Sequence, residues 1–90
     1  MEKKGTILHI HGKVQGVGFR YYTHKMASQL GVKGFVKNLP DGSVYVEAEA
    51  NADTLEQFVN WCQEGPSWAR VSKVDRQDCP FNGYSEFTVR

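Results

Sequence analysis

Cysteine is scarce in this sequence of 90 residues: Cys62 and Cys79 are its two thiols. They are too few for a disulfide scaffold and too far apart for the close pairing of a structural zinc or redox site. Two reduced, at least partly buried thiols are expected, and the sequence alone leaves open whether they meet. No charge of one sign prevails either, since 11 Lys and Arg stand against 10 Asp and Glu, for a formal net charge of +1. Proteins that grip nucleic acid through its phosphates carry a clear basic excess, so nucleic acid is not an expected partner. Long apolar runs are missing as well. No stretch approaches the roughly 20 residues that cross a bilayer, and the opening MEKKGTILHIHG turns to alternation instead of a signal core. Neither a membrane nor a targeting step is therefore expected, and the protein reads as soluble and cytoplasmic. What is present is an ordinary globular composition, 40% hydrophobic and 23% charged. That composition argues for a folded core, and the length for a single domain over residues 1–90, expected to act as a monomer.

Periodicity then assigns the elements. Over residues 6–12, Leu8 and Ile10 point one way and Ile7, His9 and His11 the other, the period of a half-buried strand. A glycine-rich stretch, KVQGVGFR, leads into a helical pattern of Phe19, Tyr22, Met26, Ala27 and Leu30 that Gly31 closes. Residues 32–39 and 43–50 read as two strands of a hairpin, joined by the turn-forming Pro40, Asp41 and Gly42. A second helix is expected over residues 53–64, with Asp53 and Glu56 at capping-box spacing and Leu55, Phe58, Val59 and Cys62 as its apolar stripe. Residues 71–79 and 84–89 read as two more strands around a turn at 80–83, with Val71 and Val74 out of alternation as at a bulge. The fold class is α+β. The order β-α-β-β-α-β, with one extra C-terminal strand, is the ferredoxin-like plan: an antiparallel sheet with both helices on one face.

Chemistry concentrates at the first strand-to-helix junction. Gly12, Gly16 and Gly18 permit positive φ angles and close backbone approach there, so successive N–H groups can converge on an anion beside the positive end of a helix dipole. An ordinary glycine-rich connection would look the same. Arg20 favours the anion, because its planar fork of donors matches two phosphate oxygens and stands in the first helical turn. The loop is neither a Walker A motif nor a dinucleotide fingerprint. It also holds no Asp, Glu or Cys for a divalent cation, so a metal-free site without a cofactor is expected. Asn38 alternates with Gly34 and Val36 toward the helix side, either as a functional amide or as a turn-shaping residue before Pro40. His9 and His11 share a face as a metal pair would, yet no third ligand is evident and none is assigned. His24 reads as solvated, Trp61 and Trp68 as packing residues, and Lys3, Lys4, Glu47 and Glu49 as solvated charges.

Taken together, the chain resembles the acylphosphatase family over nearly its whole length. KVQGVGFR is similar to the family's phosphate-loop signature from Val14 through Arg20, and GVKGFVKN to a second signature ending at Asn38. DGSVYVEAEA and EGPSWARV are similar to the segments that follow. The resemblance implies a metal-independent enzyme that hydrolyses the carboxyl-phosphate anhydride of a small acyl phosphate. Arg20 would bind the phosphate and Asn38 would position the attacking water. Backbone amides of Gln15, Gly16, Val17, Gly18, Phe19 and Arg20 would complete the cradle, with inorganic phosphate as product or inhibitor. The rival readings are an anion-binding or partner-binding module without turnover, and an acylphosphatase-like domain of a larger carbamoyl-transfer system.

Overall fold

Alternation along the central strands sorts side chains into two layers. Leu8 and Ile10 of β1 (Lys3–Lys13), Val36 of β2 (Lys33–Asn38), and Val44, Val46 and Ala48 of β3 (Val44–Asn51) are fully buried on one face. Against that face lie α1 (Phe19–Leu30) and α2 (Ala52–Glu64), which contribute Phe19, Ala27, Leu55, Phe58, Val59 and Cys62 to one continuous core. β4 (Arg70–Cys79) and β5 (Phe87–Val89) complete a five-stranded sheet ordered β4-β1-β3-β2-β5. The computed structural model describes residues 2–90 and has the ferredoxin-like plan, with both helices on one face. α1 turns Thr23 inward, where its hydroxyl donates to the Phe19 carbonyl at 2.7 Å, while Tyr22, expected in the apolar stripe, is exposed. His11 pairs with Lys73 and Gly12 with Val71, so Ser72 is the extra residue of a bulge between β1 and β4.

The last strand departs from the expected pattern. The segments around the 80–83 turn do not form neighbouring strands: β4 and β5 stand at opposite edges, and β5 is short and pairs parallel to β2, making the sheet mixed. Glu49 explains how the chain makes that crossing. Expected as a solvated charge, it is 2% exposed, and its carboxylate accepts N–H bonds from Asn82, Gly83 (2.9 Å) and Tyr84 (2.9 Å). The neighbouring Glu47 accepts the hydroxyls of Tyr45 (2.8 Å) and Tyr84 (2.9 Å). Burial, reinforced by Glu47, pushes the Tyr45 phenol up to about 12. These bonds pin residues 82–84 across the sheet face away from the helices, and Phe87 then buries its ring 5.9 Å from that of Phe58.

The expected capping box does not form. Asn51 is the N-cap of α2, without a side-chain cap bond, and Glu56 is engaged elsewhere, in a two-pronged pair with Arg76 of β4 whose Nη1 bond is 3.0 Å. An arginine fork presented by the adjacent strand wins over a reach back to one backbone amide.

Candidate active site

Residues 14–18 form the junction between β1 and α1, and both ends are held by apolar burial: Val14 is 1% exposed and Phe19 2%. Between these anchors the chain turns through Gly16 at φ 75° and Gly18 at φ 79°, left-handed values that side chains other than glycine resist. Gly18 is the N-cap of α1, and the helix begins with no side-chain cap and no acidic residue in its first turn. The first amides of a helix have no partner inside it. Here neither a cap nor a carboxylate satisfies them, so the positive end of the dipole is available to an external anion.

Gln15 fixes this loop to the far side of the site. Its side-chain amide donates to the Leu39 carbonyl and the Ser43 carbonyl, both at 2.8 Å, and so ties the loop to the turn that follows Asn38. Arg20 is oriented by a different element: its Nη1 donates to the Arg90 carbonyl at 3.0 Å. The Arg90 amide extends the β5–β2 pairing by donating to Val36 at 2.8 Å, and its guanidinium lies 3.8 Å over the Phe35 ring. No Asp or Glu pairs with Arg20 among the described residues.

A cleft of about 350 Å³ opens at this junction, and Gly16, Gly18, Phe19, Arg20, Asn38 and Val89 lie on its wall. The structure thus brings Arg20 and Asn38 together from elements far apart in sequence. Gln15 and Val17 do not line the cleft: the Gln15 side chain is committed to the turn, and Val17 packs against the core. Tyr21, Val89 and Arg90 border the site or hold its arginine, and sequence reasoning missed all three. Tyr21 could have been found by its place one residue beyond Arg20 in the first helical turn. Val89 and Arg90 had no local signal, because they arrive through the crossing of β5. No acidic side chain lines the cleft.

The remaining candidates lie elsewhere. Both cysteines are free; Cys62 is wholly buried, and that burial raises its thiol pKa. Trp61 packs against Phe19 with ring centroids 5.9 Å apart, but Trp68 is 77% exposed, contrary to the packing role expected of it. Its neighbour Ala69 takes the inward position of that loop, which leaves the indole outside. His24 is exposed on α1. No helix is long and apolar enough to cross a membrane among the described residues.

An uncapped, glycine-led helix start that carries Arg20 and shares a cleft with Asn38 of the sheet defines a small ferredoxin-like α+β protein with a candidate anion site. Comparison with known proteins narrows it. The acylphosphatase family model matches residues 6–89, and the chain belongs to that family. It is 42% identical to an acylphosphatase of Thermotoga petrophila over 87 residues, 97% of each chain. It superimposes on an acylphosphatase from Coxiella burnetii with a TM-score of 0.94 at 38% identity, covering 98% of this chain and 93% of that one. It is also similar, at 25% identity and a TM-score of 0.87, to part of full-length HypF in its phosphate- and nucleotide-bound form, covering 99% of this chain and 12% of HypF.

Proposed function

We propose that this chain is a cytoplasmic, single-domain acylphosphatase, which splits the carboxyl-phosphate anhydride of a small acyl phosphate into carboxylate and inorganic phosphate without a metal ion. One observation carries the reading: Arg20 and Asn38 share one cleft wall with the glycine-led start of α1, in the absence of any acidic side chain. The chemistry suits that set of groups. The leaving carboxylate has a conjugate acid of pKa about 4, so it departs unprotonated and no general acid is needed. Water attacks phosphorus, the bond from phosphorus to the acyl oxygen breaks, and the proton of the water passes to the phosphate itself. The charge that spreads over the phosphoryl oxygens is met by the Arg20 fork and the amides of residues 15–20. Asn38 is not basic at neutral pH; it orients the water by hydrogen bonding. The acyl group contacts little of this small cradle, so recognition rests on the phosphoryl end.

Hydrolysis of an aryl acyl phosphate in excess chelator tests the reading, with a phosphomonoester as control. Turnover of the acyl phosphate alone is expected, with nearly all of it lost in Arg20→Ala and most of it in Arg20→Lys, where a fork becomes a point charge. A folded protein that binds phosphate and hydrolyses nothing would make the chain an anion-binding module. Unchanged kinetics in Arg20→Lys would remove the fork from the mechanism.

A further inference from the structure

The sheet face away from the cleft carries a second constellation. His9 and His11 alternate outward on β1, with ring centroids 4.4 Å apart and planes inclined by 33°. The sequence offers no neighbouring third ligand, but the β2–β3 turn brings Asp41 to them. One ligating atom from each of the three side chains lies within 4.8 Å of the others. We propose that His9, His11 and Asp41 bind a divalent transition-metal ion of the zinc, nickel or copper class, at a site that shares no residue with the phosphate cleft.

The carboxylate is held in place from its own turn: Asp41 Oδ1 accepts the Ser43 amide at 2.9 Å and the Ser43 hydroxyl. The Ser43 hydroxyl donates to Asp41, and His9 Nε2 lies 2.7 Å from the same Ser43 oxygen, so His9, Ser43 and Asp41 form one connected chain. The turn is fixed in place. Leu39 N donates to Ser43 O at 2.9 Å and Gly42 N to Leu39 O at 3.1 Å, and the Gln15 amide holds both carbonyls from outside. On the other flank, Asp75 Oδ2 lies 3.4 Å from His11 Nε2, in the manner of the carboxylates that orient metal-bound imidazoles, and Lys73 pairs with Asp75 at 3.5 Å.

Donor type sets the ion. Two imidazoles and one carboxylate suit zinc, nickel and copper, whereas magnesium and calcium take oxygen ligands. A tetrahedral zinc ion places neighbouring ligand atoms about 3.3 Å apart. The two rings are half-exposed and Asp41 is exposed, which leaves their side chains room to turn toward that spacing. Water takes the remaining coordination position.

Calorimetric titration with Zn²⁺, followed in parallel by the imidazole proton resonances, tests the site. One ion per chain is expected, with shifts at His9 and His11, none at His24, and no binding of Mg²⁺. His11→Ala and Asp41→Asn should each weaken Zn²⁺ binding about tenfold or more, while His24→Ala leaves it unchanged. Asp41→Asn keeps an oxygen for Ser43, and a thermal transition like that of the parent confirms that the variant is folded. Zn²⁺ binding that survives in both His11→Ala and Asp41→Asn, or that is lost in His24→Ala, overturns the proposal. These readouts involve no acyl phosphate, so they stand or fall apart from the hydrolase reading.

Discussion

The chain builds the strand-helix-strand unit twice, as β1-α1-β2 and as β3-α2-β4, and the two helix starts have opposite electrostatics. In the second unit β3 runs from Asn51 directly into α2 at Ala52, and Asp53 supplies an acid to the first turn. Nearby, Arg76 is neutralised by Glu56. In the first unit residues 14–18 separate strand from helix, the N-cap is a left-handed glycine, and the first turn holds Arg20 and no acid. One helix start is answered from within the protein; the other is left positive. The same supersecondary unit is thus suited to an anion only where the junction is lengthened with glycines and the internal acids are withheld.

Substitutions in the two units should therefore separate chemistry from stability. The largest effect belongs to Asn38→Ala: turnover should fall about a hundredfold or more, with inorganic phosphate inhibiting as before and an unchanged thermal midpoint. Equal loss of phosphate affinity would mean that Asn38 holds the phosphate or the turn. Glu49→Ala should act in the opposite sense. It strips the acceptor from three backbone amides, a loss of about 1–3 kcal/mol in denaturant unfolding, with kcat per folded molecule preserved. A full loss of activity in folded Glu49→Ala would show that the crossing segment, and through it β5 and Arg90, governs the cleft as well.

Glu56→Gln is the smallest of these changes. Its pair with Arg76 is partly exposed, so the cost at neutral pH should stay below about 1 kcal/mol. Hydrogen bonds from Arg76 hold the Glu56 carboxyl below its ordinary value in the folded chain. The stabilisation is therefore present above the unfolded pKa of about 4.3 and disappears as the pH falls through the lower folded value. Thermal midpoints of parent and variant measured down the acid range should converge. A constant gap would assign the effect to packing.

Local patterns in the sequence were enough for much of this protein. Two-residue alternation marked the inward faces of β1 and β3, and the glycines of KVQGVGFR marked the loop that leads into α1, because such signals depend on neighbours along the chain. The irregular spacing of Val71 and Val74 even carried the bulge at Ser72. Arg20 and Asn38 were each legible as candidates, one by its place in a helical turn and the other by alternation, with the family resemblance joining them.

Whatever depended on distant partners was not legible. Glu49 reads as a surface charge until the crossing segment delivers three amides to it, and the capping box of α2 looks sound until Arg76 arrives from β4. The place of β5 beside β2, which brings Arg90 to Arg20, and the approach of Asp41 to His9 and His11 likewise exist only in the folded chain. Sequence determined the elements, their faces and the glycine loop, since dihedral preference and side-chain period are local properties. Tertiary structure decided which charges are buried, which strand closes the sheet and which side chains share a site, since those follow from pairing between segments whose separation along the chain carries no signal.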